Sequence, residues 1–313
     1  MKNVIITGSS GLVATELISN LLNDGGYQIY AVSTNPNKLK IRYASKKNVI
    51  CLGLNELKDV ANNMTFVALV NCAFARNSSG RDIASSLEFL RELIDTSKSI
   101  NLRSFINISS QSVYGQKEKP LWTEMTPVDP NYLYAVGKYA SEVIVKSAFS
   151  DININFTNIR LASVSKNARF LNVFAKNAIA RLPIRVIGGT QVCSFIDVRD
   201  VADALTTVIE KADKIELAEV YNLGIGATRT ILELAKDVQR IYRTKYGEDV
   251  VIEQEDADIQ LEVGMDNTSF CHTFNWEPQF NYDDMISSLI EFNLAGGRGY
   301  PIAFDIVYRN MVV

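Results

Sequence analysis

Histidine is almost missing from this 313-residue chain: His272 stands alone. A zinc site or a Ser-His-Asp triad would have to use it, and no acidic or cysteine cluster offers ligand spacing nearby. The chain has four cysteines, Cys51, Cys72, Cys193 and Cys271, far apart and without a C-x-x-C pair. That argues against a disulfide framework and for the reducing cytosol. Proline at 7 and glycine at 17 exclude collagen-like and low-complexity classes. Neither sign of charge is in excess: 32 basic and 35 acidic residues leave a net -3, which argues against a nucleic-acid binder. No stretch reaches the ~18 apolar residues of a membrane span. The segment from Lys2 to Ala14 looks superficially like a signal peptide, but Gly8-Ser9-Ser10-Gly11 interrupts it and Glu16 follows. A soluble, cytoplasmic protein with no membrane or nucleic-acid partner is expected.

What is present is apolar content of 47% with 21% charged residues, enough for a large core. The length suggests two domains, or one large α/β domain carrying a smaller one. The first half alternates short strand-like runs with helical periodicity, the pattern of a parallel sheet covered by helices. Val4 to Thr7 reads as a central strand, followed by a helical face of Ala14, Leu17, Ile18, Leu21 and Leu22 that Gly25-Gly26 ends. Further strands are expected at 28–32, 49–52, 66–71, 105–109 and 154–161, with long helices near 83–100 and 133–149. Beyond about Val164 helices dominate, at 170–179, 198–209, 231–242 and 285–292, with strand pieces at 185–187, 220–223 and 250–253. The division expected is 1–165 and 166–313, with segments around 190–225 returning to the first part.

Gly8, Gly11 and Ala14 form G-x-x-G-x-x-A at the mouth of the first helix. Glycine at 8 permits the tight turn, glycine at 11 lets backbone approach a pyrophosphate, and small Ala14 lets helix pack on strand. The helix N-terminus offers N–H donors and positive dipole to phosphates. A dinucleotide cofactor is therefore expected on Gly8, Ser9, Ser10, Gly11 and Leu12. At the end of the second strand a carboxylate usually selects NAD, and an arginine NADP. Here the text is Val32-Ser33-Thr34-Asn35, with Lys38, Lys40 and Arg42 nearby. These cations could equally be the solvated face of a short helix. NAD(P) is expected, with NADP marginally favoured.

Tyr134 and Lys138 lie four apart in a predicted helix and so share one face. Ser110 falls just past a strand end, where a doubly wound sheet borders its ligand crevice. A lysine ammonium beside a tyrosine favours the phenolate. That phenolate can take a hydroxyl proton while hydride leaves the same carbon, and Ser110 can hold the reacting oxygen.

With Thr7-Gly8-Ser9-Ser10-Gly11, Ser109-Ser110-Gln111-Ser112-Val113-Tyr114-Gly115 and Tyr134-Ala135-Val136-Gly137-Lys138 in order, the chain resembles the extended short-chain dehydrogenases/reductases, in the NAD-dependent epimerase/dehydratase group. Ser194 to Ala202, Tyr221-Asn222-Leu223-Gly224 and Trp276-Glu277-Pro278 extend the resemblance to about residue 295. It implies a Rossmann-type sheet with a smaller, mainly helical substrate domain. It also implies Ser110, Tyr134 and Lys138 as catalytic residues, with Lys138 and Tyr134 at the nicotinamide end. Cys72 and Ala73 should line the cofactor, and Leu54 should sit near the adenine, with Gly53 where an aspartate usually precedes it. A homodimer through the two long helices is implied, with Leu133, Val136, Ala140, Val143 and Ser147 on a shared face.

The implied substrate is a nucleoside-diphosphate sugar, and the implied reaction is 4-epimerisation or 4-keto reduction. Where sugar-nucleotide 4,6-dehydratases carry Thr-Asp-Glu, this chain has Ser110-Gln111-Ser112, which disfavours water elimination. Cys193 and Glu253-Gln254-Glu255-Asp256 replace two expected diphosphate-binding arginines; Arg160, Arg169, Arg181 or Arg185 are candidate substitutes, or else solvated helix or loop charges. The alternatives are a reductase of a small carbonyl compound and a non-catalytic dinucleotide sensor.

Overall fold

The computed structural model describes residues 1–61, 64–75, 79–115 and 119–296. Residues 116–118 of the proline-bearing loop and the tail 297–313, for which the sequence suggests no element, lie outside these ranges.

The chain alternates strand and helix through its first half. Its elements are β1 (Lys2–Thr7), α1 (Leu12–Asp24), β2 (Tyr27–Val32), α2 (Pro36–Arg42), β3 (Val49–Leu52), α3 (Leu54–Val60), β4 (Thr65–Asn71), α4 (Gly80–Ser99), β5 (Asn101–Leu102), β6 (Ser104–Ser110), α5 (Leu133–Phe149) and β7 (Asn155–Leu161). Then follow β8 (Ser163–Val164), α6 (Arg169–Ile179), β9 (Ile184–Ile187), β10 (Val192–Cys193), β11 (Phe195–Ile196), α7 (Val198–Lys211), β12 (Val220–Leu223), β13 (Arg229–Thr230), α8 (Ile231–Tyr246), β14 (Ile252–Glu255), α9 (Thr268–Phe274) and α10 (Tyr282–Leu294).

The central sheet runs β12-β7-β6-β4-β1-β2-β3, parallel throughout, with β5 beside β4. From β1 the chain builds outward to β3, then returns to start again at β4 on the other side. The order therefore reverses between β1 and β4, and their carboxyl ends flank the crevice where such sheets bind ligands. This is the doubly wound Rossmann-type α/β sheet expected.

Period-two alternation sends successive strand residues to opposite faces. Val4 and Ile6 join Ala14, Leu17 and Ile18 of α1 and Val201, Leu205 and Val208 of α7 in one core. Ile5, Leu69 and Phe105 face Leu90 and Leu93 of α4 and Val145 and Phe149 of α5 in another. A third core gathers Phe170 and Phe174, Ile184 and Val186, Leu234 and Val238, and Ile286 and Leu289, from α6, β9, α8 and α10. The chain of α7, β12 and α9 packs with the first core, not the third.

Two differences from the sequence reading have local causes. The strand expected at 250–253 lies at Ile252–Glu255, pairing with β9. Val250 is instead buried in the third core, and Val251 contributes only its carbonyl to the Ile184 N–H. Two seven-residue helices, α3 and α9, were also not anticipated, and α2 was expected only as an alternative, a short helix bearing Lys38, Lys40 and Arg42. In α2 and α3 a single side chain, Leu39 or Leu57, is buried, so no periodic stripe exists to be read.

Candidate functional site

At the carboxyl end of β1 the chain turns sharply at Gly8, with φ +63. A Cβ there would lie 2.8 Å from the Ala73 nitrogen and 2.8 Å from the Cys72 carbonyl carbon. Glycine is thus required twice: for the left-handed conformation and for backbone contact with the segment after β4. The Gly11 N–H donates to the Gly8 carbonyl at 2.8 Å, and Gly11 then caps α1 with no side chain over the helix end. Ser10 and Gly11 are exposed, Leu12 is half-buried, and Ala14 is fully buried against the sheet. Ser9 is different: its hydroxyl is buried and donates back to the Ile6 carbonyl at 2.6 Å. Its backbone N–H is also engaged, donating to the Val32 carbonyl at 3.3 Å, so Ser9 shapes the turn from within.

Thr34 is exposed beyond β2, and Asn35 caps α2 by accepting from the Lys38 N–H. Lys38 and Lys40 are exposed on that helix, whereas Arg42 donates to Thr15 Oγ1 on α1 at 3.0 Å. The short helix weighed against a phosphate site for these cations is therefore present. Leu54 opens α3, half-buried, after Gly53, whose N–H is taken by the Glu56 carboxylate at 2.5 Å.

Beyond β4, Cys72 and Ala73 are half-buried, and Asn71 Oδ1 accepts from the Ala73 N–H at 3.3 Å. Phe74, which sequence reasoning passed over, packs edge-on against Tyr134 with ring centroids 5.9 Å apart. Lys138 Nζ sits 4.2 Å from the centre of the Phe74 ring and 5.9 Å from that of Tyr134. It donates to the Ile108 carbonyl at 2.7 Å. Burial pushes the Lys138 ammonium down to about 7, with the nearby Cys72 and Glu142 opposing the fall. Burial likewise pushes the Cys72 thiol up to about 12. Ser110 ends β6, half-buried, its hydroxyl accepting from the Ser112 N–H at 3.2 Å.

On the α5 face, the strands change from apolar to polar in one row as they approach the crevice. Thr7, Asn71, Asn107 and Asn158 are register partners across β1, β4, β6 and β7. They form a chain: Thr7 Oγ1 to Asn71 Oδ1 at 2.7 Å, Asn71 Nδ2 to Asn107 Oδ1 at 3.0 Å, Asn107 Nδ2 to Asn158 Oδ1 at 2.9 Å. All four are buried, and each partner satisfies the next.

The arginines considered for a diphosphate are differently placed. Arg160 is a correction: it is 5% exposed and forms a bidentate pair with Glu142, so it is committed to the interior. Arg181 and Arg185 pair at the surface with Glu248 and Glu253, and Arg169 opens α6, half-buried. Gln111 is buried and donates to Ser163 Oγ at 3.0 Å, so the position of the missing acid holds a neutral amide. Among the described residues no three His, Cys, Asp or Glu side chains cluster as a metal site, and no helix is long and apolar enough to cross a membrane.

The sequence model of the NAD dependent epimerase/dehydratase family matches residues 4–224. The dTDP-glucose 4,6-dehydratase of Haemophilus influenzae is 22% identical, over 94% of this chain and 98% of that protein. The low-salt glycan biosynthesis protein Agl12 of Haloferax volcanii is 21% identical, over 93% and 98%. Among solved structures, UDP-glucuronic acid 4-epimerase from Bacillus cereus, in complex with UDP-glucuronic acid and NAD, superposes with TM-score 0.76 at 19% identity, covering 94% of this chain and 99% of that one. UDP-glucose 4-epimerase from Bifidobacterium longum, in complex with NAD+ and UDP, gives 0.73 at 23%, covering 96% and 100%.

Proposed function

The chain belongs to the NAD dependent epimerase/dehydratase family, and we propose on that premise that it is a 4-epimerase or 4-ketoreductase of a nucleoside-diphosphate hexose. The observation that carries the reading is the set of Tyr134 and Lys138 on one face of α5, beside the crevice that the Gly8 turn and Ser110 border. The crevice fits a dinucleotide: α1 begins at an uncapped glycine, and Gly8 admits no side chain. Gly8, Ser9, Ser10, Gly11 and Leu12 would form the pyrophosphate cradle, with Ser9 shaping the turn through its bonds to Ile6 and Val32. Thr34 and Leu54 would flank the adenosine, and Cys72, Ala73, Tyr134 and Lys138 the nicotinamide end.

When bound, the nicotinamide supplies the acceptor and donor of hydride. The Tyr134 oxygen takes the proton from the C4 hydroxyl and returns it on reduction. Lys138, one turn on, would stabilise the phenolate in its protonated form and would donate to a ribose hydroxyl of a bound dinucleotide. Ser110 donates to the reacting oxygen and fixes its direction. Water elimination is not proposed, although several relatives are named as 4,6-dehydratases: Gln111 and Ser112 cannot exchange protons as a carboxyl pair does. The substrate part is assigned to 166–313, with 190–225 returning to the first, and the compartment to the cytoplasm. NADP is given a slight preference, because no carboxylate at Thr34 repels a 2′-phosphate while Lys38 and Lys40 are exposed on the following helix.

The test is a thermal-shift screen of UDP-, GDP-, CDP- and dTDP-sugars with NAD or NADPH, followed by product analysis of those that stabilise. Epimer formation without net cofactor change identifies the epimerase; stoichiometric NADPH consumption identifies the ketoreductase. A product lacking the C6 oxygen, or no turnover with any member, refutes the proposal.

A further inference from the structure

The carboxyl end of β6 is tied to α5 residue by residue. Asn107 Nδ2 donates to Ser141 Oγ at 3.3 Å, and Ser141 Oγ to the Lys138 carbonyl at 2.7 Å. The Ile108 carbonyl receives Lys138 Nζ. Ser109 Oγ donates to the Glu142 carboxylate, which is also gripped by Arg160 of β7 through Nε at 3.1 Å and Nη2 at 2.8 Å. The next residue is Ser110. Glu142 and Arg160 have side chains 5% and 6% exposed, so this is a charge pair inside the protein. Such a pair is weak evidence of stability, because desolvation offsets its attraction. Its placement gives it another use: it joins β6, β7 and α5 one turn beyond Lys138, next to the residue expected to orient the reacting oxygen.

We propose that Glu142, held by Arg160, is a positioning residue of the reaction centre, fixing Ser110 against the helix of Tyr134 and sustaining the charge of Lys138. This rests on the cofactor reading given above, in which Lys138 meets the nicotinamide ribose. Lys138 is faced by the Ile108 carbonyl from β6, the Phe74 ring and Cys72 thiol from the segment after β4, and Tyr134 and Glu142 from its own helix. Arg160 stands behind Glu142. Of the two members of the pair, Glu142 lies one helical turn from Lys138 on α5, where its negative charge favours the ammonium. Removing both therefore leaves Lys138 with less to hold its proton.

The experiment follows NADH binding by its fluorescence from about pH 6 to 9 in wild type, in Glu142→Gln/Arg160→Met, which leaves no orphan charge, and in Ser109→Ala, which leaves the ion pair whole. Wild-type affinity is expected to fall as Lys138 loses its proton. In the double variant the midpoint moves down by about half a unit or more, roughly a threefold weaker affinity at slightly alkaline pH. Ser109→Ala keeps the wild-type midpoint, and a turnover assay with the nucleotide sugar found by the screen shows kcat at least ~5-fold down with KM within ~2-fold. A folded double variant with an unmoved midpoint overturns the proposal. If the double variant does not fold, undiminished kcat in Ser109→Ala overturns it. Failure of wild-type protein to bind either NADH or NADPH at any pH would instead refute the cofactor reading on which it rests.

Discussion

Replacing Gly8 by alanine should damage the cofactor site more than the fold, and Gly25 supplies the control. Both glycines have left-handed backbone, φ +63 and +78. An alanine in that conformation costs about 1–2 kcal/mol whatever surrounds it. At Gly25 nothing lies within 4 Å of the added carbon, so conformational strain is the whole effect. At Gly8 the carbon would meet Ala73 N and Cys72 C at 2.8 Å and Ala73 Cα at 2.9 Å. These are backbone atoms of a segment anchored by Asn71, so they cannot rotate away. Overpacking of that kind adds about 1–3 kcal/mol. At about 2 °C per kcal/mol for a chain of this size, Gly25→Ala should melt about 2–4 °C low and Gly8→Ala about 4–10 °C low. The segment that yields is the one assigned to the nicotinamide end. NAD affinity by calorimetry should therefore drop at least tenfold, about 1.4 kcal/mol, in Gly8→Ala and be unchanged in Gly25→Ala. Equal melting temperatures with NAD affinity within twofold in both variants would refute the reasoning.

Tyr134→Phe should abolish turnover while leaving cofactor affinity intact; activity within ~10-fold of wild type at pH 7 would remove Tyr134 from the acid–base role. Lys138→Met should lower both turnover and cofactor affinity. Because the folded pocket holds Lys138 at about 7 and the unfolded chain at 10.5, the unfolded state binds more protons between those values. The wild type should thus gain stability relative to Lys138→Met as pH rises through that window, and a constant difference in melting temperature would contradict it. NADP(H) should bind at least as tightly as NAD(H), with a margin that shrinks as salt screens Lys38 and Lys40; a tenfold preference for NAD(H) in calorimetry would reverse the assignment. We expect a homodimer through α4 and α5, since Leu133, Val136 and Val143 are 52%, 48% and 49% exposed on the outer side of α5; light scattering that gives 34.8 kDa at micromolar concentration would exclude it.

The parts of the site legible in the sequence are those built from neighbours in the chain. A strand, a glycine turn and a helix are written within Val4 to Leu22, and the structure has β1, the Gly8 turn and α1 there. Tyr134 and Lys138 lie on one turn of a helix whose ends, Leu133 and Phe149, are those the apolar pattern marked. The signals for α2 were also local, an Asn35 cap followed by Pro36 at the first helical position. With one buried residue in two turns, periodicity leaves this short helix open as an alternative, and the cap and proline are what decide for it.

What could not be read depends on partners far apart in sequence. Asparagine is a poor strand former and costs free energy in a core unless its amide is fully paired. Asn71, Asn107 and Asn158 fall inside the expected strands 66–71, 105–109 and 154–161, but nothing in the sequence names partners for their amides. Only the register of β4, β6 and β7 turns them into each other's partners. Arg160 was open to the opposite error: a cation near the end of a strand bordering the crevice looks like a phosphate ligand. Its partner Glu142 sits on the preceding helix, and nothing in the spacing says that the two side chains turn inward to meet. Both features lie on the α5 face, directly beneath the crevice. There the sheet forgoes apolar packing in favour of directional bonds, which hold a side chain in one orientation where apolar contacts permit several. A reaction centre assembled from the ends of separate strands and one helix depends on such fixed orientation, and that dependence explains why its polar support is buried and invisible to any pattern of hydrophobicity.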